Sequence, residues 1–386
     1  MILTRKPILI GAITTLILAI SAVTVTFVVL EYKNDNDVIN YVEHGAIVIW
    51  GDDDFEDYDF PGRGTESNPY RISEYNITTD SLIGISIWNT KKYFVIENCY
   101  INATKIGISI ESVAPGSAVI SKNICDANPG IGIVIYYSPQ TALIGNECNN
   151  NGYGIIVDSS SGCILTENTC KNNEIGIIIY YSQLASLTQC VSKNNNLGIY
   201  IGYSASTSVS ECEVNNNHKG FSVEESAVIR IESSVISHNS YGIILLKSRA
   251  SIIENNEIEY NYFGIYLEKN SLLYIKNNYF TYNAMGVYFY SNVDTSTITS
   301  NYFELNYIYA ISIEVNNDIN YIYHNTFLNN SAYGSSQAYD DSVNIWYDVD
   351  TNTGNYWDDF LGIGSYIIEG IGGNSDPYPL ETPPVF

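Results

Sequence analysis

An all-β fold, a single-stranded right-handed parallel β-helix of about 11 coils, is what this sequence predicts. Three observations carry the expectation. A glycine followed by an apolar residue recurs every 22 residues at Gly132, Gly154, Gly176, Gly198, Gly220, Gly242, Gly264 and Gly286. Gly84 and Gly107 extend the series upstream, and Ala310 extends it downstream. Apolar residues stand one and three places after each landmark, as in Ile133 and Ile135 or Ile265 and Leu267. Such alternation, rich in Ile and Val, marks a strand with one buried face. Polar residues keep the same period, as in Asn151, Asn173, Asn195, Asn217, Asn239, Asn261 and Asn283.

Two more inward columns complete each unit. One runs through Leu143, Leu165, Leu187, Val209, Ile231, Ile253 and Ile275, the other through Cys148, Cys170, Val214, Ile236, Ile258 and Phe280. Each repeat therefore holds about three short strands separated by bends, and the usual crossover rule makes the winding right-handed. A second asparagine column (Asn98, Asn123, Asn146, Asn168, Asn256, Asn278, Asn301, Asn325) and a serine column (Ser138, Ser160, Ser182, Ser204, Ser226, Ser248) mark the remaining corners. Asn tolerates left-handed backbone, and its amide can bond the copy one coil away.

From the start of the chain, residues 1–7 read as a cytoplasmic tail and residues 8–30 as a transmembrane anchor. Ile8 to Leu30 carries no charge and is long enough to cross a bilayer. Arg5 and Lys6 precede it and acids follow, which places the amino terminus inside and the rest outside the cell membrane. The alternative is a cleaved secretory signal. Residues 31–46 form a polar stalk, and 47–83 an amino-terminal cap with the first strands.

Within that cap, Gly51 to Asp59 is the densest acidic run. It lacks the glycine an EF-hand needs at its sixth position. Two readings stand for it: a solvated acidic loop, or a calcium site using Asp52, Asp54 and Asp57. No cofactor is otherwise required. The coils proper span 84–330, and residues 331–386 close the second end with Trp346, Trp357 and Phe360 as plugs.

The seven cysteines are read mainly as fillers. Cys125, Cys148 and Cys170 fall in one inward column, and Cys190 and Cys212 share another. Coil spacing would permit a Cys190–Cys212 bridge, but in-register side chains point the same way, so buried free thiols are expected.

Net charge is −25 among 386 residues, which repels phosphate backbones and excludes nucleic acid as a partner. Tyrosine is in excess, at 34. The outward column four places after the landmark reads Trp88, Glu111, Tyr136, Asp158, Tyr180, Gly202, Glu224, Leu246, Glu268, Tyr290 and Glu314. Aromatic faces for sugar rings and carboxylates for hydroxyls make Trp88, Tyr136, Tyr180, Tyr290, Glu111, Asp158, Glu224 and Glu268 the candidate ligand contacts. The expected partner is an extracellular polysaccharide or surface glycoprotein. A surface adhesion scaffold is the companion expectation. A polysaccharide-cleaving hydrolase or lyase is the alternative; Glu111 with Asp158, or Glu224 with Glu268, would then be the acid pairs, ~9.6 Å apart by strand spacing. No convincing catalytic set accompanies them.

Gly354-Asn355-Tyr356-Trp357-Asp358-Asp359-Phe360, followed by Gly372-Gly373-Asn374 and Asp376-Pro377-Tyr378-Pro379-Leu380, resembles the closing segment of NosD-like right-handed β-helix proteins. Phe60-Pro61-Gly62-Arg63-Gly64-Thr65-Glu66-Ser67-Asn68-Pro69-Tyr70 resembles the opening segment of archaeal surface members of that group. The resemblance covers about residues 47 to 380. It implies the β-helix fold, and a domain type shared with carbohydrate-binding proteins and sugar hydrolases. It also implies, as a further alternative, a role outside the membrane in supplying copper to nitrous oxide reductase. On residue grounds the copper role lacks support. Met285 is the one methionine besides the initiator, and His44, His218, His238 and His324 share no column.

Overall fold

The computed structural model describes residues 39–331, 334 and 336–384. The expected tail and anchor, residues 1–30, lie outside these, as does the first half of the expected stalk. Among the described residues no helix is long and apolar enough to cross a membrane. Three long parallel sheets of 14, 13 and 12 strands wrap one core. The 13-stranded sheet runs from Ile47–Ile49 to Ala338–Asp340, so the solenoid makes about twelve turns, slightly more than the repeat count predicts. Its register is regular, with Ile133 opposite Ile155 and Ile155 opposite Ile177.

Close stacking explains the landmark glycine. A Cβ on Gly132 would stand 2.7 Å from the carbonyl oxygen of Gly154 and 3.0 Å from the Cβ of Cys148. No side chain fits between coils at that point. The inward columns fill the rest: Ile133, Leu143 and Cys148 are fully buried in one turn, and Ile265, Ile275 and Phe280 in a later one.

The corners differ from the expected division of labour. The left-handed residue is the one before each ladder member: Asn150, Asn172, Asn194, Asn216, His238, Tyr260 and Tyr282 all have φ between 54° and 58°. The ladder asparagines themselves turn inward. Asn123 donates through its backbone N (3.1 Å) and its Nδ2 (3.0 Å) to Oδ1 of Asn146, and through Nδ2 to the carbonyl of Ile96 at 2.9 Å. The pattern repeats coil after coil, for instance from Asn256 to Asn278 to Asn301. Each rung satisfies buried polar groups that would otherwise cost roughly 1–3 kcal/mol apiece. Asn98 is not a rung: it holds φ 52°, and Cys99 bonds Asn123 Oδ1 instead. Cys212 is likewise a rung, its N donating to Ser234 Oγ.

Both ends are closed by aromatics. The acidic run is a 3-10 helix, Asp53–Tyr58, not a loop, and it buries Phe55 against Tyr70 (4.6 Å, stacked) and Phe94. At the other end a column of rings leads out of the core: Phe280, Phe303, Phe327, Trp357 and Tyr366 stack with centroids 4.7, 5.1, 4.0 and 4.0 Å apart. Trp346 is fully buried beside Trp357. Buried carboxylates hold both indoles, Asp340 accepting from Trp346 Nε1 (2.8 Å) and Asp376 from Trp357 Nε1 (3.0 Å).

Candidate functional site

The outer face of the 13-stranded sheet carries the aromatic and acidic side chains. Trp88 pairs in register with Glu111, Glu111 with Tyr136, Tyr136 with Asp158, and Asp158 with Tyr180. Tyr180 then faces Gly202, which faces Glu224, and the column continues through Leu246 to Glu268. Tyr290 departs from it. A register shift sets Glu268 opposite Ser291, and Tyr290 instead stacks on Tyr266 at 5.6 Å. Seven of the eight expected contacts thus share one line, and the eighth joins a neighbouring cluster.

Corner geometry adds rings that the column does not contain. Tyr137, Tyr181 and Tyr203 occupy left-handed corner positions with φ of 47°, 46° and 49°. Their side chains turn back beside the column, so Tyr137 lies 4.2 Å from Tyr136, and Tyr181 lies 4.5 Å from Tyr180 and 5.0 Å from Tyr203. Hydrogen bonding to Tyr137, then burial, pushes the Tyr136 phenol up to about 12. At the amino-terminal end Trp50, 62% exposed, stands 5.1 Å from Trp88, 38% exposed. Trp50 follows the strand whose Ile49 pairs with Ile87, so it extends the column by one coil.

Gly202 shapes the middle of the face. With no side chain there, Tyr200 lies flat across it and donates to Glu224 Oε2 at 3.3 Å. Burial, and then the Glu224 charge, raises the Tyr200 phenol well above its ordinary value. Tyr288 repeats the motif, donating to Glu314 Oε1 at 3.2 Å. Around it Tyr241, Phe263 and Tyr266 pack as a second aromatic field.

In register, one residue separates the members of each expected acid pair. Tyr136 lies between Glu111 and Asp158, and Leu246 between Glu224 and Glu268, so neither pair spans open space. Two depressions, of about 400 and 460 Å³, lie off this face, one beside Thr78 and Asn102 and one beside Asn329 and Asp358. The aromatic face is an open platform.

In the acidic cap, two of the three expected carboxylates are taken by protein donors. Asp52 Oδ1 accepts from Thr90 Oγ1 and Lys91 N, both at 2.7 Å, and these bonds hold its carboxyl below the usual range. Asp54 Oδ2 is taken by the backbone N of Trp50. Among the described residues no group of three or more His, Cys, Asp or Glu side chains could hold a metal ion. The cysteines are all free and buried. Cys125, Cys148 and Cys170 do stack in register, yet burial drives the central thiol of Cys148 far up, away from the thiolate that a soft metal needs. The histidines are apart: His44 packs on Tyr75, His218 meets Ser240, His238 stacks on Tyr260, and His324 bonds Thr353.

Comparison with known proteins fits this architecture. The family described as "Periplasmic copper-binding protein (NosD)" matches residues 176–362, and the family "Right handed beta helix region" matches residues 63–201. No curated protein matches the chain. Among solved structures, the A-module of an Azotobacter vinelandii mannuronan C-5 epimerase is similar at 12% identity, over 66% of this chain and 95% of its own, with a TM-score of 0.49. A periplasmic alginate epimerase is similar at 13% identity, over 73% and 74%, with a TM-score of 0.46. The Dettilon tailspike protein is similar at 15% identity, over 81% and 61%, with a TM-score of 0.48. The donor set present here does not fit the copper ion of the first family's description.

Proposed function

Because this chain is a NosD-like right-handed β-helix repeat protein whose residues do not fit that family's copper, we propose that it is a polysaccharide-binding module. The ligand lies along the outer face of the 13-stranded sheet, parallel to the solenoid axis. The observation that supports this is the register line from Trp88 to Tyr180, in which rings and carboxylates alternate on an open surface. Rings offer apolar faces to pyranose C–H groups, and carboxylates accept from hydroxyls. The uncharged stretch of residues 8–30 supports display of the module outside a membrane.

The same geometry supports binding without cleavage. A hydrolase needs an acid and a base facing one bond across room for water, and here a side chain stands between each pair. The test is to incubate the full chain, solubilised in detergent, with a panel of polysaccharides and to score retention and newly released chain ends. Retention without release is expected. Release would replace the binding module with an enzyme. No retention across the panel would leave an adhesion scaffold as the better account.

A further inference from the structure

The spacing and charge of the line define the ligand more narrowly, and this step rests on the reading of the face as a polysaccharide site. From Trp88 to Tyr180 the aromatic residues fall on every second coil, with Glu111 and Asp158 on the coils between. Adjacent coils are one strand spacing apart, ~4.8 Å, and an extended β-linked pyranose chain advances by about that length per sugar. In such a ribbon alternate sugars turn the same face the same way. Rings on every second coil therefore meet every second sugar in an equivalent pose, while a carboxylate meets each sugar between.

Charge sets the second limit. The outward strand positions from Ile83 to Gly202 hold two carboxylates and no cation, and the first cation on these positions is Lys219. Neither Glu111 nor Asp158 joins an ion pair among the described residues, and Asp158 Oδ1 accepts from the neutral Ser159 Oγ at 2.8 Å. The whole chain adds its net −25. An acidic sugar laid along this line would place its carboxylate over Glu111 or Asp158 with nothing to neutralise it, which costs affinity and slows association. An ammonium group at the same place would be paired.

We propose that the Trp88–Tyr180 line binds an extended β-linked polysaccharide free of acidic sugars, with an amino-sugar polymer as the best-fitting ligand. The hydroxyl-only polymer of the same backbone ranks second and a polyuronate last.

The experiment compares length-matched chitosan, cellulose and β-1,4-linked glucuronate oligomers on the full chain in detergent, at low and high salt. Expected is retention in the order chitosan, cellulose, glucuronate, with chitosan at least ~10-fold above glucuronate at low salt and the gap narrowing at high salt. A polycation could also adhere to any acidic protein, so the charge-neutral variant Tyr136→Ala/Tyr180→Ala is measured beside it, with thermal unfolding as the check on folding. That variant is expected to lose chitosan and cellulose alike. The variant Glu111→Gln/Asp158→Asn is expected to lose the preference for chitosan while keeping cellulose. Glucuronate held as tightly as chitosan at low salt would overturn the inference and leave the binding module standing. Chitosan retention unchanged by loss of both tyrosines would overturn it as bulk charge attraction. Failure of every oligomer would remove the binding module itself.

Discussion

Tyr200 lies so close over Gly202 that a Cβ on the glycine would stand 2.6–2.7 Å from three of its phenol atoms. Every other coil places a side chain at or beside that column position, from Trp88 to Glu268. One missing side chain converts a ridge into a recess in which a tyrosine ring lies flat. The Gly202→Ala variant should lift the ring and break its bond to Glu224. Tyr200 would then titrate closer to an ordinary tyrosine, because both burial and the Glu224 charge hold its phenol up. Ultraviolet titration reads this directly, and an unchanged high-pH tyrosine count would contradict it.

Removing a rung should cost far more than removing its exposed neighbour. Asn256 takes the backbone N of Ser234 (3.0 Å) and donates to Ile231 O and to Asn278 Oδ1, both at 2.9 Å. Asn256→Ala strands at least two buried groups, so about 2–5 kcal/mol should be lost. Asn255 is exposed at φ 56°, and Asn255→Ala should cost at most about 1 kcal/mol, since both residues carry a Cβ and only asparagine's better tolerance of left-handed backbone is lost. Chemical denaturation of both variants separates the two costs.

The thiols should be inert in the native state. Burial pushes Cys99 and Cys163 up to about 12; the bond with Cys212 holds the Cys190 thiol below its ordinary value, but like the other six it is buried and free. A thiol reagent or a copper salt at neutral pH should therefore find no reactive cysteine until the chain is denatured, when all seven should react. Stoichiometric native labelling would contradict the packing described here.

Acidification should tighten the carboxy-terminal closure. Burial raises Asp340 to about 6, against 3.8 for the free side chain, despite its bonds from Trp346, Asn344 and Ser342. A raised carboxyl binds its proton more tightly folded than unfolded. Its contribution is fully present below about 3.8 and is lost as pH rises through about 6. Over that window it amounts to no more than about 3 kcal/mol. Asp340→Asn keeps an acceptor for Trp346 and should flatten the stability-against-pH curve between those values relative to the parent. Parallel curves would refute the assignment.

Much of this was legible in the chain. The 22-residue period exposed the coils because stacked units must repeat their inward residues, and Ile133, Leu143 and Cys148 are buried as their columns require. Polar columns were equally visible, since a rung is useful only when the next coil carries one. What escaped lay where spacing breaks or where an offset of one residue changes the role. Trp50 belongs with Trp88, but the inserted 3-10 helix separates the two by more than one repeat. Asn98 fits the asparagine column by residue type, yet the structure gives the rung to Cys99. Tyr137, Tyr181 and Tyr203 reach the aromatic face through left-handed corners, which no two-residue alternation reports. Tyr290 was displaced by a one-residue insertion that shifts the register, after which the columns stand 23 residues apart, as Ile275 and Ile298 do.

The central claim is that a sugar chain runs along the solenoid axis over successive coils. Affinity measured by calorimetry against chitosan oligomers of increasing length tests it most directly. The account predicts that affinity climbs as the oligomer lengthens, in steps of two sugars as each further ring from Trp88 to Tyr180 is reached, each step ~2- to 10-fold for about 0.5–1.5 kcal/mol of aromatic contact. An affinity already complete with a disaccharide would place the ligand in a local pocket and contradict it.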